Sequence, residues 1–246
     1  MKLFVSTCPF PGDRPGLLRF LSQYKNPRTR HQIYRSVKTF IRWAARRALC
    51  TDYISDLRIH FPEAAPKPVV TPSDFRRIMK SIPDTLAGRR DRVIYKVLYF
   101  TGARRDAIRL LQWDSVDLTE PSIQFVTKGR QEQDVPIPGE AAAALKAWRR
   151  ECPSRIYVFP SITHPKRPIC PDAVTRRLPE YAKDAGLGRR VNVHRLRHSF
   201  VVRMADAGVP YETIALATGH RSTDMVAHYD RRNPARLKAV YERVFH

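Results

Sequence analysis

Residues 194–198 read His-Arg-Leu-Arg-His, and this short basic segment guides the interpretation of the rest of the sequence. On a helix, side chains three positions apart share a face, so His194 and Arg197 would project together. Leu196 and the apolar residues after it, Phe200 and Met204, would then point elsewhere, towards a core. The segment therefore predicts a helix with one functional face and one buried face.

A second segment, residues 101–104, reads Thr-Gly-Ala-Arg and follows an apolar stretch. Gly102 predicts the end of a helix, because glycine is the residue that most readily takes the left-handed conformation of a helix C-terminus. Arg104 would open the next helix, which runs towards Trp113. Further on, Lys128 lies in a polar turn between two predicted strands, at the tip of a hairpin.

A third segment lies near the C-terminus. Gly219 predicts another helix end, and His220 follows it directly. Ser222 is typical of the residue that begins a helix, and that short helix would carry Tyr229, nine residues after His220. The pattern therefore predicts a histidine and a tyrosine placed by consecutive short elements.

Each of these side chains has an ordinary structural explanation when taken singly. As a set they supply what metal-free phosphodiester chemistry needs: Arg104, Lys128, His194, Arg197, His220 and Tyr229. A tyrosine can act as the nucleophile and form a covalent phosphoester. Two arginines can neutralise the non-bridging oxygens, a lysine can protonate the leaving alkoxide, and a histidine can accept the tyrosine proton.

Other chemistries lack support in the sequence. There are only 10 glycines and no glycine-rich phosphate loop, so a nucleotide cofactor is not expected. No cysteine pair has the spacing of a zinc site, and a metal is not expected either. The four cysteines are interpreted as reduced thiols of a cytoplasmic protein: Cys8, Cys50, Cys152 and Cys170. A run of 18 apolar residues is absent from the sequence, which excludes a membrane-spanning helix.

The charge balance points to a polyanionic partner. Lys and Arg number 45 against 23 Asp and Glu, a formal net charge of +22. So large a charge opposes compaction unless a polyanion neutralises it, and nucleic acid gains binding free energy through counterion release. Residues 14–51 contain ten basic residues and no acidic one.

Within that basic region, residues 31–49 predict an amphipathic helix. Its apolar stripe consists of Ile33, Val37, Phe40, Ile41, Ala44, Ala45 and Ala48. On the opposite face lie four basic residues, Arg35, Lys38, Arg42 and Arg46. Because solvated helix faces usually mix the two signs of charge, we favour a face that contacts the DNA backbone over an ordinary basic surface.

The domain organisation follows from proline and capping signals. Residues 61–68 contain three prolines, which predict an extended linker at 63–70 between a helical domain at 1–62 and a second domain at 71–246. Thr71 and Pro72 predict a fresh helix start. The predicted strands are 116–118, 122–127 and 134–137, so the fold class is mainly α with a small antiparallel β-sheet.

With these motifs at these intervals, the sequence resembles the tyrosine recombinases of the phage integrase family, in particular the simple Xer-like members. The matching positions are Thr101 to Arg104, Lys128, His194 to His198, His220 and Tyr229, and the match covers roughly residues 70–232. The position three residues after the first arginine is usually acidic in this family, whereas here it is Ala107.

The resemblance implies a short helical core-binding domain, an α+β catalytic domain and site-specific recombination of double-stranded DNA. It implies that Tyr229 forms a 3′-phosphotyrosyl link, that Arg104 and Arg197 bind the scissile phosphate and that Lys128 protonates the 5′-hydroxyl. His194 would assist proton transfer and His220 would hydrogen-bond the phosphate, without metal or ATP. It also implies a tetramer on two duplexes, linked by C-terminal helices.

Two other functions stay open from the sequence. One is a non-catalytic DNA-binding relative, which the complete set of six residues disfavours. The other is a monomeric type IB-like topoisomerase. The tail disfavours it. An apolar stripe at Leu237, Val240, Tyr241 and Val244 predicts a helix that must be buried, either on the chain's own core or, as the resemblance implies, on a neighbouring protomer.

Overall fold

The structure is a computed structural model, and it describes residues 12–61, 68–126, 132–219, 222, 223 and 226. The chain divides into two compact units, residues 1–67 and residues 68–246. None of the helices in the described ranges has both the length and the apolarity that a bilayer crossing requires.

Between residues 12 and 61 the first unit contains two helices, α1 (Arg14–Ser22) and α2 (Pro27–Ala45). Both begin at side-chain caps: an Asp13 carboxylate oxygen accepts a hydrogen bond from the backbone of Gly16, and the Asn26 amide oxygen accepts one from that of Arg28. Their small core consists of Leu17, Leu21, Tyr34, Val37, Ile41 and Ile54. The basic α2 is therefore anchored by one apolar face.

Helix α2 ends four residues earlier than the sequence predicts. After Ala45 the backbone turns, and Ala48 takes a left-handed conformation with φ of 52°. The backbone N–H of Leu49 donates to the carbonyl of Ala44, which closes the helix end. The turn returns the chain onto α2, where Ile54 is fully buried. Tertiary packing therefore overrides the apolar pattern that continues to Ala48.

The predicted apolar stripe of α2 is wrong at one position. Phe40 is 51% exposed, and its ring stacks on that of Trp43 with 5.9 Å between centroids. Tyr34 occupies the core instead, and its hydroxyl donates to the carbonyl of Leu57. A tyrosine can be buried in this way because its polar tip finds an acceptor.

The second unit is a helical bundle with a small sheet. Its first elements are α3 (Pro72–Ser81), α4 (Leu86–Thr101), α5 (Arg105–Arg109), a 3₁₀ turn (Trp113–Ser115), β1 (Val116–Asp117), β2 (Ser122–Val126) and β3 (Glu132–Pro136). Up to residue 219 the sheet is followed by α6 (Gly139–Glu151), α7 (Pro171–Asp184), α8 (Val193–Asp206) and α9 (Tyr211–Thr218). The strands form one antiparallel sheet in the order β1-β2-β3, with Ile123 opposite Val116 and Val135. The predicted fold class is confirmed.

The second unit begins before the end of the predicted linker. Val70 is buried, and its backbone N–H donates to the Ser199 hydroxyl at 2.7 Å. The guanidinium of Arg195 donates to the carbonyl of Pro68 at 2.7 Å. Residues 68–70, which the sequence assigns to the linker, are therefore held in the second unit. The prediction of Thr71 as helix cap is confirmed, because Thr71 and Asp74 form a reciprocal capping box.

Helix α4 is the centre of the second unit. It packs against α6 and α8, and its apolar residues are buried around most of its circumference: Val93, Ile94, Tyr95, Val97 and Leu98. A helix buried on several sides cannot shift without disturbing several neighbours. Its C-terminal end is therefore a rigid support for residues 102–104.

Near its N-terminus, α4 also carries a buried ionic network that the sequence does not reveal. Arg90 and Asp91 are 3% and 1% exposed. The Asp91 carboxylate accepts hydrogen bonds from Arg90 (2.9 Å), Arg177 (2.9 Å) and the Tyr181 hydroxyl (3.1 Å). Burial and the Asp91 charge raise the pKa of Tyr181 to about 12, which keeps this phenol protonated as a donor.

Candidate active site

The chain leaves α4 through a tight left-handed turn at Gly102. This residue has φ of 61°, and its backbone N–H donates to the carbonyl of Leu98. A Cβ atom there would lie 2.5 Å from Cδ1 of Phe200, so the turn also requires the space that glycine leaves. The buried Thr101 hydroxyl donates to the Val97 carbonyl and accepts from the backbone of Ala103. The predicted helix end is confirmed.

Arg104 follows in an extended conformation, immediately before α5. Its side chain is exposed, and Nη2 of its guanidinium donates to the carbonyl of Gly219. The neighbouring carboxylate of Asp106 forms ion pairs with Arg105 (3.2 Å) and Arg109 (3.5 Å). The hydrogen bond from Arg105 is the main cause that lowers the pKa of Asp106. A peptide carbonyl, not the Asp106 carboxylate, therefore contacts Arg104.

The segment at 194–198 lies in the first half of α8, as predicted. Asn192 caps this helix by accepting a hydrogen bond from the backbone of Arg195 at 2.9 Å. His194 is exposed, and Leu196 is fully buried. Arg197 is 8% exposed, and Nη1 of its guanidinium donates to the carbonyl of Gly102 at 2.7 Å. The buried Arg197 therefore contacts the turn at Gly102, which leads to the exposed Arg104.

Helix α9 ends at Gly219, which is again left-handed, with φ of 65°. The carbonyl of Gly219 belongs to the peptide bond that leads into His220. Because Arg104 contacts this carbonyl, three stretches that are distant in sequence meet at one place. Lys128, His220 and Tyr229 lie outside the described residues, so their placement stays a prediction.

Two other arginines of α8, which the sequence motif does not single out, serve the fold. Arg195 binds the Pro68 carbonyl, and burial together with the charge of Arg189 lowers its pKa. Arg203 lies 3.6 Å from the Tyr99 ring centroid and donates to the Tyr99 carbonyl at 2.6 Å. Burial lowers the pKa of Arg203 as well.

The predicted basic face of α2 is only partly exposed. Arg35, Arg42 and Arg46 are exposed, and Arg46 lies one residue beyond the helix end. Lys38 is half-buried, and its ammonium donates to the carbonyl of Leu57 at 3.2 Å. Arg28, seven residues before Arg35 on the same face, is exposed and was missed by the sequence reasoning. Its signal was the same 3.6-residue periodicity, extended back to the helix start.

Neither a metal cluster nor a disulfide is found in the described part of the chain. Its residues contain no group of three or more His, Cys, Asp or Glu side chains that could hold a metal ion. Cys50, Cys152 and Cys170 are free thiols. The Cys152 thiol has a raised pKa because it is half-buried.

The curated proteins that this chain resembles include several tyrosine recombinases. A tyrosine recombinase XerC of Syntrophus aciditrophicus is 28% identical over 174 residues, which is 65% of this chain and 55% of that protein. A XerC 2 of Ralstonia nicotianae is 26% identical over 91% of this chain and 69% of its own length. The chain thus spans little more than half the length of the first of these curated relatives.

Solved structures share the fold. A XerA recombinase superposes with a TM-score of 0.64 at 21% identity, covering 98% of this chain and 86% of the other. The Tn1549 transposon integrase, in a complex with transposon right end DNA, superposes with a TM-score of 0.77 at 16% identity, covering 97% and 88%. A lambda integrase tetramer bound to a Holliday junction gives a TM-score of 0.71 at 14% identity, covering 89% and 65%.

The family model described as "Phage integrase family" matches residues 68–236, which include every described residue of the second unit and all six predicted site residues. The resemblance noted from the sequence motifs is therefore confirmed. The chain belongs to the phage integrase family.

Proposed function

We propose that this protein is a site-specific DNA recombinase that cleaves and rejoins DNA strands through a 3′-phosphotyrosyl intermediate. The observation that carries the proposal is the meeting of Arg104, Arg197 and the carbonyl before His220 at the ends of two helices. Two guanidinium groups in one place can neutralise the charge that develops on a phosphate in the transition state.

In the proposed reaction Tyr229 is the nucleophile. Its phenol oxygen attacks the scissile phosphorus, a P–O bond to tyrosine forms, and the bond to the 5′-oxygen breaks. Lys128 gives a proton to that 5′-oxygen, and His194 assists proton transfer from the phenol. Arg104, Arg197 and His220 hold the phosphate.

Rejoining is the reverse reaction with a different strand. The 5′-hydroxyl of the incoming strand attacks the phosphotyrosine, and the tyrosine leaves as a phenol. Because the phosphoester keeps the energy of the broken bond, the step needs no ATP. Depending on the arrangement of the DNA sites, such a strand exchange integrates, excises or resolves DNA.

We further propose that the active form is a tetramer on two duplexes. A lambda integrase with this fold has been solved as a tetramer bound to a Holliday junction. The helix predicted from residues 234–245 would dock on the neighbouring protomer and link its position to that of Tyr229. The same proposal places the protein in the cytoplasm, where DNA is accessible and free thiols stay reduced.

Covalent trapping tests the function directly. The purified protein first selects its site from random duplex DNA, and that site is then offered as a nicked suicide duplex. The expected result is a protein–DNA adduct that survives denaturation and forms in the presence of a chelator. Binding without an adduct would favour a non-catalytic relative, whereas relaxation of supercoiled DNA by the monomer would favour a topoisomerase.

The basic face of α2 gives a separate prediction about DNA binding. Arg35→Gln combined with Arg42→Gln should weaken binding to all sequences alike, because phosphate contacts carry no sequence information. Each lost contact should lower the slope of log K against log salt by roughly 0.9. Filter binding or fluorescence anisotropy at several salt concentrations measures both effects.

A matched control removes the same net charge elsewhere. Arg14 and Arg89 are already paired with the surface carboxylates of Asp56 and Glu151. Arg14→Gln combined with Arg89→Gln should therefore leave the salt slope near the parental value. Equal changes in the two double variants would indicate that only net charge matters and that the α2 face makes no contacts of its own.

A further inference from the structure

The two arginines of the candidate site are held in the same unusual way. Each donates to the carbonyl of a left-handed glycine that ends a helix: Arg197 to Gly102 at the end of α4, and Arg104 to Gly219 at the end of α9. The last carbonyls of a helix lack partners within it and lie at the negative end of its dipole. A guanidinium is therefore a favourable partner at both places.

The two contacts link three helices. Arg104 lies three residues beyond Thr101, the last residue of α4, and reaches the end of α9. Arg197 lies on α8, which packs against both α4 and α9, and reaches back to the end of α4. Because Arg197 contacts the end of α4 and Arg104 follows that end directly, a shift at the end of α4 is transmitted to both guanidinium groups.

Both glycines follow a buried threonine whose hydroxyl is hydrogen-bonded within the preceding helix. The hydroxyl of Thr101 donates to the Val97 carbonyl at 2.7 Å, and that of Thr218 donates to the Ile214 carbonyl at 2.6 Å. Thr101 is fully buried and Thr218 is 3% exposed. The two Thr-Gly pairs thus form equivalent, rigid supports.

We propose that Gly102 and Gly219 are positioning residues, whose carbonyl oxygens set the planes of the Arg197 and Arg104 guanidinium groups for a phosphate. This inference rests on the proposed function. With Ala107 in the position that would otherwise carry a carboxylate, the orientation of Arg104 depends on an uncharged acceptor. That acceptor keeps its direction only while Gly219 stays left-handed.

Gly219 gives the cleaner test. A side chain at Gly102 would collide with Phe200 and disturb the core. A loss of activity in a Gly102 variant could therefore come from misfolding as well as from misplacement of Arg197. Gly219→Val should turn the carbonyl away from Arg104, because a β-branched residue cannot easily keep positive φ. Gly219→Asn should keep it in place, because asparagine tolerates the left-handed region.

The expected effect is on cleavage, measured in single turnovers on the nicked suicide duplex. Gly219→Val should cleave about 100-fold more slowly than the parent, since a misplacement of ~1 Å can cost that factor. Gly219→Asn should stay within about threefold of the parent, because its backbone conformation is kept. DNA affinity should change little in either variant.

A neutral substrate separates positioning from folding. A methylphosphonate at the scissile position lacks one negative non-bridging oxygen, so arginine stabilisation contributes less to its cleavage. The deficit of Gly219→Val should therefore shrink from about 100-fold to less than about tenfold on this substrate. A folding defect would give the same deficit on both substrates.

Gly186 supplies the matched control. It is also left-handed, with φ of 71°, follows the end of α7, and its carbonyl accepts a hydrogen bond from Arg77 at 3.2 Å. Gly186→Val should lower the melting temperature in the same way as Gly219→Val while cleaving like the parent on both substrates. If Gly219→Val does not fold, Gly219→Ala, which is less strained, takes its place in the comparison.

The outcomes distinguish this inference from the function on which it rests. A parent protein that forms no adduct overturns the proposed function and the inference with it. A parent that cleaves, together with a Gly219→Val that matches it or shows an equal deficit on both substrates, overturns the inference alone. Two results together support the inference. Gly219→Asn cleaves nearly as fast as the parent, and the cleavage deficit of Gly219→Val is smaller on the neutral substrate.

Discussion

Tyr229→Phe is expected to bind the DNA site as tightly as the parent and to form no covalent adduct. The substitution removes only the phenol oxygen, which is the atom that would attack phosphorus. Loss of a nucleophile that acts together with its supporting groups lowers the rate by about 10⁴-fold or more. Denaturing gel electrophoresis of the suicide-duplex reaction measures the adduct, and a mobility shift measures binding.

Two other tyrosines serve as controls for this expectation. Tyr211 begins α9, and Tyr241 belongs to the predicted tail helix. Neither has the nine-residue spacing from His220, so Tyr211→Phe and Tyr241→Phe should both keep the adduct. An adduct that persists in Tyr229→Phe, or that peptide mapping assigns to Tyr241, would contradict the assignment of the nucleophile.

Asp91→Asn is expected to destabilise the second unit severely. The carboxylate is almost fully buried and accepts hydrogen bonds from Arg90, Arg177 and Tyr181. Removal of its charge leaves the Arg90 guanidinium buried without a counterion, which typically costs about 3–5 kcal/mol. For a unit of this size the melting temperature should fall by about 10 °C. Thermal unfolding followed by circular dichroism measures the change.

The matched control is an aspartate that also pairs with two arginines but at the surface. Asp84 lies 3.3 Å from Arg89 and 3.6 Å from Arg92, and its side chain is 76% exposed. Asp84→Asn should cost at most about 1 kcal/mol, because water solvates each partner when the pair is broken. If the two variants lose the same stability, burial does not determine how much the Asp91 network contributes to the free energy of unfolding.

The replacement of both buried charges provides a second check. Arg90→Met combined with Asp91→Leu removes this buried pair together, and the Arg177 guanidinium that loses its carboxylate is about one-third exposed, so water can solvate it. This double variant should recover much of the stability that Asp91→Asn loses. The Arg90 hydrogen bond to the carbonyl of Pro160 is lost as well, so the recovery should be incomplete.

The order of short motifs made the family predictable from the sequence. Thr101 to Arg104 and His194 to His198 are local patterns, in which a glycine ends a helix and a three-residue spacing sets a shared face. Such signals depend on neighbouring residues alone, so they can be identified in the sequence without knowledge of the fold. The helix end at Gly102, the cap at Thr71 and the three strands were predicted for the same reason.

Tertiary structure decided what each charged or aromatic side chain does. The local motif singles out Arg197, but only the fold shows that Arg197 reaches Gly102 whereas Arg203 is stacked on Tyr99. Phe40, which the apolar pattern predicts in the core, is exposed and Tyr34 is buried, because burial depends on which chain segments return to cover a helix.

The sequence by itself determined the family and the helix end at Gly102, and it predicted the six residues that the chemistry requires. Only the tertiary structure brought Arg104 to the carbonyl before His220, across 115 residues of chain. It also paired Asp91 with Arg177, 86 residues away. The physical reason is that capping and periodicity are local properties of the backbone. The partner of a guanidinium is set by the packing of helices that are distant in sequence.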